Sequence, residues 1–225
     1  MKMMMNLFEI FDPTTSMFFS LNWISPMLIF IILPLKFWII PSRFEILIIL
    51  ISKIIFSEFK NLTKKKYKMN ILIFFSLMIF IALSNFMGLF PYIFTSTSHI
   101  SFNLIIALSS WLGFFIYSWL NKPLMMLIHL VPMNTPPALM NFMVMIELIS
   151  NIIRPFTLAI RLTANMIAGH LLLTLLGTFI SKFLILLPFT IILQNMLMIL
   201  EIAVSMIQAY VFSILSLLYF LESKN

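Results

Sequence analysis

Glu147, Arg154, Arg161, His170 and Glu201 stand in long apolar runs of a 225-residue chain in which Asp, Glu, Lys and Arg make up only 9% of residues. Arg161 is the most demanding of them. A guanidinium cannot be deprotonated in a protein, so it cannot escape burial by going neutral. At membrane depth it costs at least ~2.5–3.5 kcal/mol on the insertion scale, so it faces a partner or a wet cavity. Spacing orders the set. Glu147, Arg154 and Arg161 are seven apart, and Asn165 follows Arg161 by four. Gln194, Glu201 and Gln208 are also seven apart. Seven residues are close to two helical turns, so each set nearly shares one helix face.

Intramembrane carboxylates and imidazoles are the usual parts of a proton relay. His170 and Glu201 can pass a proton along a wet crevice. Arg161 cannot relay one, but a fixed cation repels hydronium and attracts a carboxylate, and so separates two proton paths. No group in the chain pairs with Arg161 and leaves both carboxylates free, which points to a carboxylate on another subunit. Plainer readings hold elsewhere. Gln194 alone, Asn85 and Asn103 read as glue between helices. His99 and His129 fall at or near loops and read as interfacial. Arg154 precedes Pro155 and can bind carbonyls freed by a kink, so a structural and a functional reading both stay open for it. His170 and Glu201 lack the local spacing of a zinc site. No Gly-rich phosphate loop, Ser-His-Asp set or cysteine is present. No metal, cofactor or nucleotide is expected on this chain.

The elements that must position these groups are helices in lipid. The chain is 62% hydrophobic with mean hydropathy +1.12, against ~45–50% apolar for a soluble domain. No alternation of a lipid-facing barrel is visible, which leaves an all-α integral membrane protein. One membrane domain over 1–225 is expected, with five crossings and one surface helix. The first span is placed at 17–40, with Pro26 and Pro34 inside it. Residues 43–60 form an amphipathic surface helix, with Glu45, Ser52, Lys53, Ser57 and Lys60 toward one side and Glu58 fitting poorly. Spans follow at 69–90 and 100–120, joined by a polar turn at 91–98. A Pro-rich connection leads to two long helices, 138–178 and 183–221. Each is about 60 Å long against a hydrocarbon core of about 30 Å, so they are read as strongly tilted. They form a hairpin around Ser181-Lys182, with Pro155 kinking the first.

The net charge of +7 is concentrated in a lysine-rich segment, Lys53 to Lys68. It reads as a membrane-flanking loop on the inner side rather than a nucleic-acid surface. The N-terminus then lies outside and the C-terminus inside. No cleavable leader is visible at the N-terminus, and 19 Met, 25 Phe and only 4 Gly hint at an AT-biased organellar genome. A self-contained transporter would need an inverted repeat, and none is evident. A purely structural anchor would tolerate Arg161→Leu.

Four motifs carry a resemblance. They are Ile146-Glu147-Leu148-Ile149-Ser150-Asn151-Ile152-Ile153-Arg154-Pro155, continuing through Arg161-Leu162-Thr163-Ala164-Asn165 to Gly169-His170; Leu200-Glu201-Ile202-Ala203 through Gln208-Ala209-Tyr210-Val211-Phe212; Asn85-Phe86-Met87-Gly88-Leu89-Phe90-Pro91-Tyr92; and His129-Leu130-Val131-Pro132. Over nearly the whole chain the sequence resembles subunit a of the F-type ATP synthase in its mitochondrial form. The resemblance implies a proton-translocating stator in the mitochondrial inner membrane, beside a rotating ring of c-subunits, contacting other membrane and peripheral-stalk subunits. Arg161 matches the family's essential arginine, which faces the ring's carboxylates. His170 and Glu201 match the outer half-channel and Glu147 the inner one. Asn165 and Gln208 match polar residues near the arginine. The chain departs from the family's Gly-Thr-Pro at Asn134-Thr135-Pro136 and from its Pro at Asn141.

Overall fold

A computed structural model describes residues 8–15, 19–32, 40–63, 70–90, 92–121, 123–131, 136, 139–182, 185 and 187–224. The helices are α1 (Leu28–Ile32), α2 (Arg43–Leu62), α3 (Ile71–Gly88), α4 (Ile100–Asn121), α5 (Pro123–His129), α6 (Met140–Lys182) and α7 (Leu187–Lys224). Among the described residues four helices are long and apolar enough to cross a membrane: Ile71–Gly88, Ile100–Asn121, Met140–Lys182 and Leu187–Glu222.

The expected first span, 17–40, falls partly on residues 17–18 and 33–39, outside the described set. Its described part is not one α-helix. A 3-10 segment, Leu21–Met27, holds Pro26 and passes into α1. Proline lacks the N–H that an α-helical ladder needs, and the tighter 3-10 geometry accommodates it. The connection after α4 differs too, because it contains α5. Pro123 opens that helix, a position where its missing N–H costs nothing. Asn134 lies outside the described residues, and Asn141 is exposed in the first turn of α6.

α2 begins at a capping box. Glu45 N–H donates to Ser42 Oγ at 3.3 Å, and Ser42 N–H donates to Glu45 Oε2 at 2.7 Å. Two orphan donors are thereby satisfied. Glu58, the misfit of the polar face, accepts a hydrogen bond from Tyr210 Oη on α7 at 2.9 Å. Phe59 is fully buried beside it, stacked on Tyr210 with ring centroids 6.4 Å apart. α2 is thus pinned to α7 by one apolar anchor and one hydroxyl.

Two cores hold the spans together. Ala82, Ala107, Ala159 and Ala209, one each from α3, α4, α6 and α7, share a cluster with Ile81, Leu158, Leu162 and Phe212. Small residues let helix backbones approach where lipid supplies no hydrophobic drive. The second core joins Phe59 of α2 to Ile71, Phe74 and Met78 of α3 and Leu217 and Phe220 of α7.

The turn after α3 is polar as expected, but it is not a solvated loop. Thr95, Ser96, Thr97 and Ser98 are all buried. Asn103 Nδ2 on α4 donates to the Thr97 carbonyl at 2.7 Å, so this amide ties a helix to a turn rather than to another helix. Gly88 makes the fold-back possible: a Cβ there would stand 2.9 Å from Thr95 Cγ2 and 3.4 Å from Met166 Cε. His99, read as interfacial, packs against Trp23 and Phe94 at 5.2 and 5.3 Å, with its Nε2 buried.

α6 passes through Pro155 and through Ser181-Lys182, where the hairpin turn was expected. The reversal comes after Lys182, and residues 183, 184 and 186 lie outside the described set. α6 has 43 residues and α7 has 38, so each exceeds the hydrocarbon thickness roughly twofold.

Candidate functional site

α6 carries its polar groups to three different places. Glu147 and Arg154 meet: Arg154 Nη2 stands 3.7 Å from Glu147 Oε1. Arg154 Nη1 also donates to Glu222 Oε2 at 2.9 Å, and the guanidinium lies 5.1 Å from the Tyr219 ring centroid. These groups, with Asn151 and Ser118, line an open cavity of about 370 Å³ between α4, α6 and the end of α7. The expected bond from Arg154 to freed kink carbonyls is replaced by this pairing. Two carboxylates within reach outcompete neutral carbonyls for a cation.

Arg161 does not continue that cluster. It is exposed, and it forms no ion pair or side-chain hydrogen bond among the described residues. A seven-residue step falls ~20° short of full turns, and Pro155 stands between Arg154 and Arg161. Asn165, one turn on, is exposed beside it. Ile160, Ala164 and Ala168 complete an exposed, otherwise apolar patch.

The α7 stripe faces the other way. Glu201 is only 6% exposed, and both its carboxylate oxygens are buried without a hydrogen-bond partner among the described residues. Its carboxyl lies in a notch that Gly169 leaves open. A Cβ on Gly169 would overlap Glu201 Oε1 and stand 2.6 Å from Cδ. His170 is the next residue on α6, half-buried, with Nε2 also unpartnered among the described residues. Phe11, from the N-terminal segment, meets the His170 ring edge-on at 6.3 Å. Gln208 is buried two turns along α7, and its Oε1 lacks a partner among the described residues. Gln194 is half-buried.

Buried serines nearby form no part of this set. Ser84, Ser205, Ser213 and Ser216 donate to carbonyls three residues back at 2.7–2.9 Å, the ordinary way a hydroxyl settles inside a helix. Asn85 differs. It is fully buried, and both amide atoms lack partners, so it does not act as glue among the described residues. It sits between Ala82, packed with Leu162 and Ala209, and Gly88, against Met166. The unpartnered atoms of Asn85, His170, Glu201 and Gln208 therefore gather around one part of α6 and α7. Their hydrogen-bonding capacity is open to water or to a proton in transit.

Sequence reasoning missed three members. Glu222 follows Glu201 by three steps of seven, so the α7 spacing, run to its end, would have reached it. Gly169 had no signal beyond its place before His170. Asn85 gave none, because an amide that bonds a neighbour and one that does not are the same letter.

The match to known proteins covers nearly the whole chain. The family model for the ATP synthase A chain matches residues 14–221. The ATP synthase subunit a of Apis mellifera ligustica is 55% identical over 222 residues, 99% of this chain and 98% of that protein. Those of Locusta migratoria and Drosophila melanogaster are 54% and 53% identical over 220 and 219 residues, each covering 96% of this chain and 98% of the relative. With that match over residues 14–221, and with four membrane-length helices among the described residues, the chain belongs to the ATP synthase A chain family.

Proposed function

We propose that this chain is the proton-translocating stator of a rotary ATP synthase in the mitochondrial inner membrane. It serves a ring of c-subunits through two half-channels, with Arg161 as the barrier between them. Insect relatives named as subunit a support the assignment. The observation that carries the mechanism is the divergence of the polar groups. Arg161 is exposed on α6 without a partner among the described residues, while Glu201 is buried against Gly169 and His170 is half-buried. Glu147 lines a separate cavity.

Along α6, Glu147 precedes Arg161 by ~21 Å and His170 follows it by ~14 Å at ~1.5 Å per residue. Protons enter at the outer side past His170, Glu201 and Gln208, and load a ring carboxylate beside Arg161 and Asn165. After rotation they leave through the cavity of Glu147, Arg154 and Glu222. Arg161 stays cationic throughout, holds an arriving carboxylate ionised and repels hydronium. Gln194 lines the outer approach. Five crossings are proposed, with a first span near 17–40, the N-terminus in the intermembrane space and the C-terminus in the matrix. The chain itself carries no catalytic site; nucleotide chemistry belongs to other subunits.

The test is Arg161→Ala in the assembled complex, read as ATP-driven proton uptake into vesicles. Uptake is lost while the complex still assembles. Coupled uptake at the native rate would overturn the assignment.

A further inference from the structure

An open groove of about 270 Å³ runs between α2 and α3. Its two walls differ in kind. Lys53, Ser57 and Lys60 stand four and then three residues apart on α2, so they form one stripe about 10 Å long. Both lysines are exposed and form no ion pair among the described residues. Ser57 Oγ spends its proton on the Ile54 carbonyl at 2.6 Å, leaving the two ammonium groups as the donors. The other wall is Phe56, Leu72 and Phe75. Phe56 meets Phe75 edge-on at 5.9 Å, and Leu72 is exposed.

The acids of α2 are engaged away from this stripe. Glu45 is held by the Ser42 N–H in the capping box, and Glu58 by Tyr210. The rim is therefore cationic without internal compensation. The sequence adds Lys64, Lys65, Lys66 and Lys68 directly after α2. Leu72 and Phe75 belong to the first turns of a membrane-length helix, whereas α2 is not a candidate span. A cationic rim at the membrane surface thus continues into an apolar wall that enters the hydrocarbon.

We propose that this groove binds an anionic phospholipid of the leaflet on the lysine-rich side. The headgroup phosphate lies on Lys53 and Lys60, and an acyl chain lies along Phe56, Leu72 and Phe75. Basic pockets at helix–membrane junctions bind anionic headgroups in this way. A soluble anion would use the rim and ignore the apolar wall, and an apolar partner helix would leave two ammonium groups uncompensated. The inference is independent of the proton path.

The test places the intact complex in nanodiscs of phosphatidylcholine. A trace of photoactivatable phosphatidylglycerol or photoactivatable phosphatidylcholine is added, and labelled peptides from α2 and α3 are counted. The anionic probe labels this pair preferentially. Lys53→Gln with Lys60→Gln reduces that labelling about 30-fold, at roughly fivefold per surface lysine. Lys53→Arg with Lys60→Arg keeps it, and Lys182→Gln leaves it unchanged. Excess inorganic phosphate does not compete. Equal labelling by the two probes in the native complex, which requires no variant, would overturn the proposal. So would competition by phosphate alone, or no labelling of α2, the outcome if another subunit covers the groove.

Discussion

Gly169→Ala is the sharpest probe of the outer relay, because the new atom lands on the group that is proposed to carry the proton. The added Cβ would overlap Glu201 Oε1 and stand 2.6 Å from Cδ and 2.8 Å from Cγ. The carboxyl must leave the notch beside His170. Overpacking of this kind costs typically about 1–3 kcal/mol. Replacing a helical Gly by Ala returns about 1 kcal/mol. Net stability therefore falls by no more than about 2 kcal/mol, and the complex should assemble. If about 1–3 kcal/mol falls on the proton-transfer step, at ~1.4 kcal/mol per tenfold, transfer slows roughly 5- to 150-fold. The assay is ATP-driven proton uptake per assembled complex. Gly177 lies on the same helix with nothing within 4 Å of its Cβ position, so Gly177→Ala should leave uptake unchanged. Adding Glu201→Asp, one methylene shorter, should restore part of the rate lost in Gly169→Ala. Native uptake in Gly169→Ala, or an equal loss in Gly177→Ala, would refute the reasoning.

Asn103→Leu removes the buried donor to the Thr97 carbonyl. It should cost about 1–3 kcal/mol, seen as a lower dissociation temperature of the complex with uptake per intact complex unchanged. Tyr210→Phe deletes the hydroxyl that reaches Glu58 but keeps the ring on Phe59. Amide exchange across α2 should quicken while uptake holds; unaltered exchange would mean that Phe59 alone anchors the helix.

Helix identity was legible wherever hydropathy alone decides it, as in α3, α4, α6 and α7. It was least legible where proline and burial compete with pattern. The run around Pro26 reads as apolar helix, yet its described part is largely 3-10. The turn at 91–98 reads as polar because it is Ser- and Thr-rich, and within it residues 95–98 are buried. A hydroxyl can satisfy itself locally, as Thr95 and Ser98 do with each other at 3.1 Å, so polarity did not predict exposure. The site showed the same division. Spacing found Glu147, Arg154, Arg161 and Glu201, because helical period is a sequence property. It could not tell that Arg154 would close on two carboxylates, or that the notch for Glu201 is opened by a glycine on another helix. Both depend on which helices become neighbours.

The two arginines of α6 show what an unbalanced charge means in this fold. Arg154 is compensated inside the chain by Glu147 and Glu222, and its worth to stability is small, since such half-exposed pairs contribute about 0–1 kcal/mol. Arg161 has the larger cost and no such pairing among the described residues. At membrane depth that cost would be at least ~2.5–3.5 kcal/mol, and no ion pair among the described residues offsets it. The exposed patch around it is otherwise made of Ile160, Ala164, Asn165 and Ala168, two of them small enough for another helix to approach closely. A carboxylate brought there by such a helix would compensate the cation only while it remains ionised. Protonation removes the attraction and lets the carboxyl depart into lipid at lower cost. On the proposed mechanism the same charge would bias both arrival and release, which a cation already paired within the chain could not do.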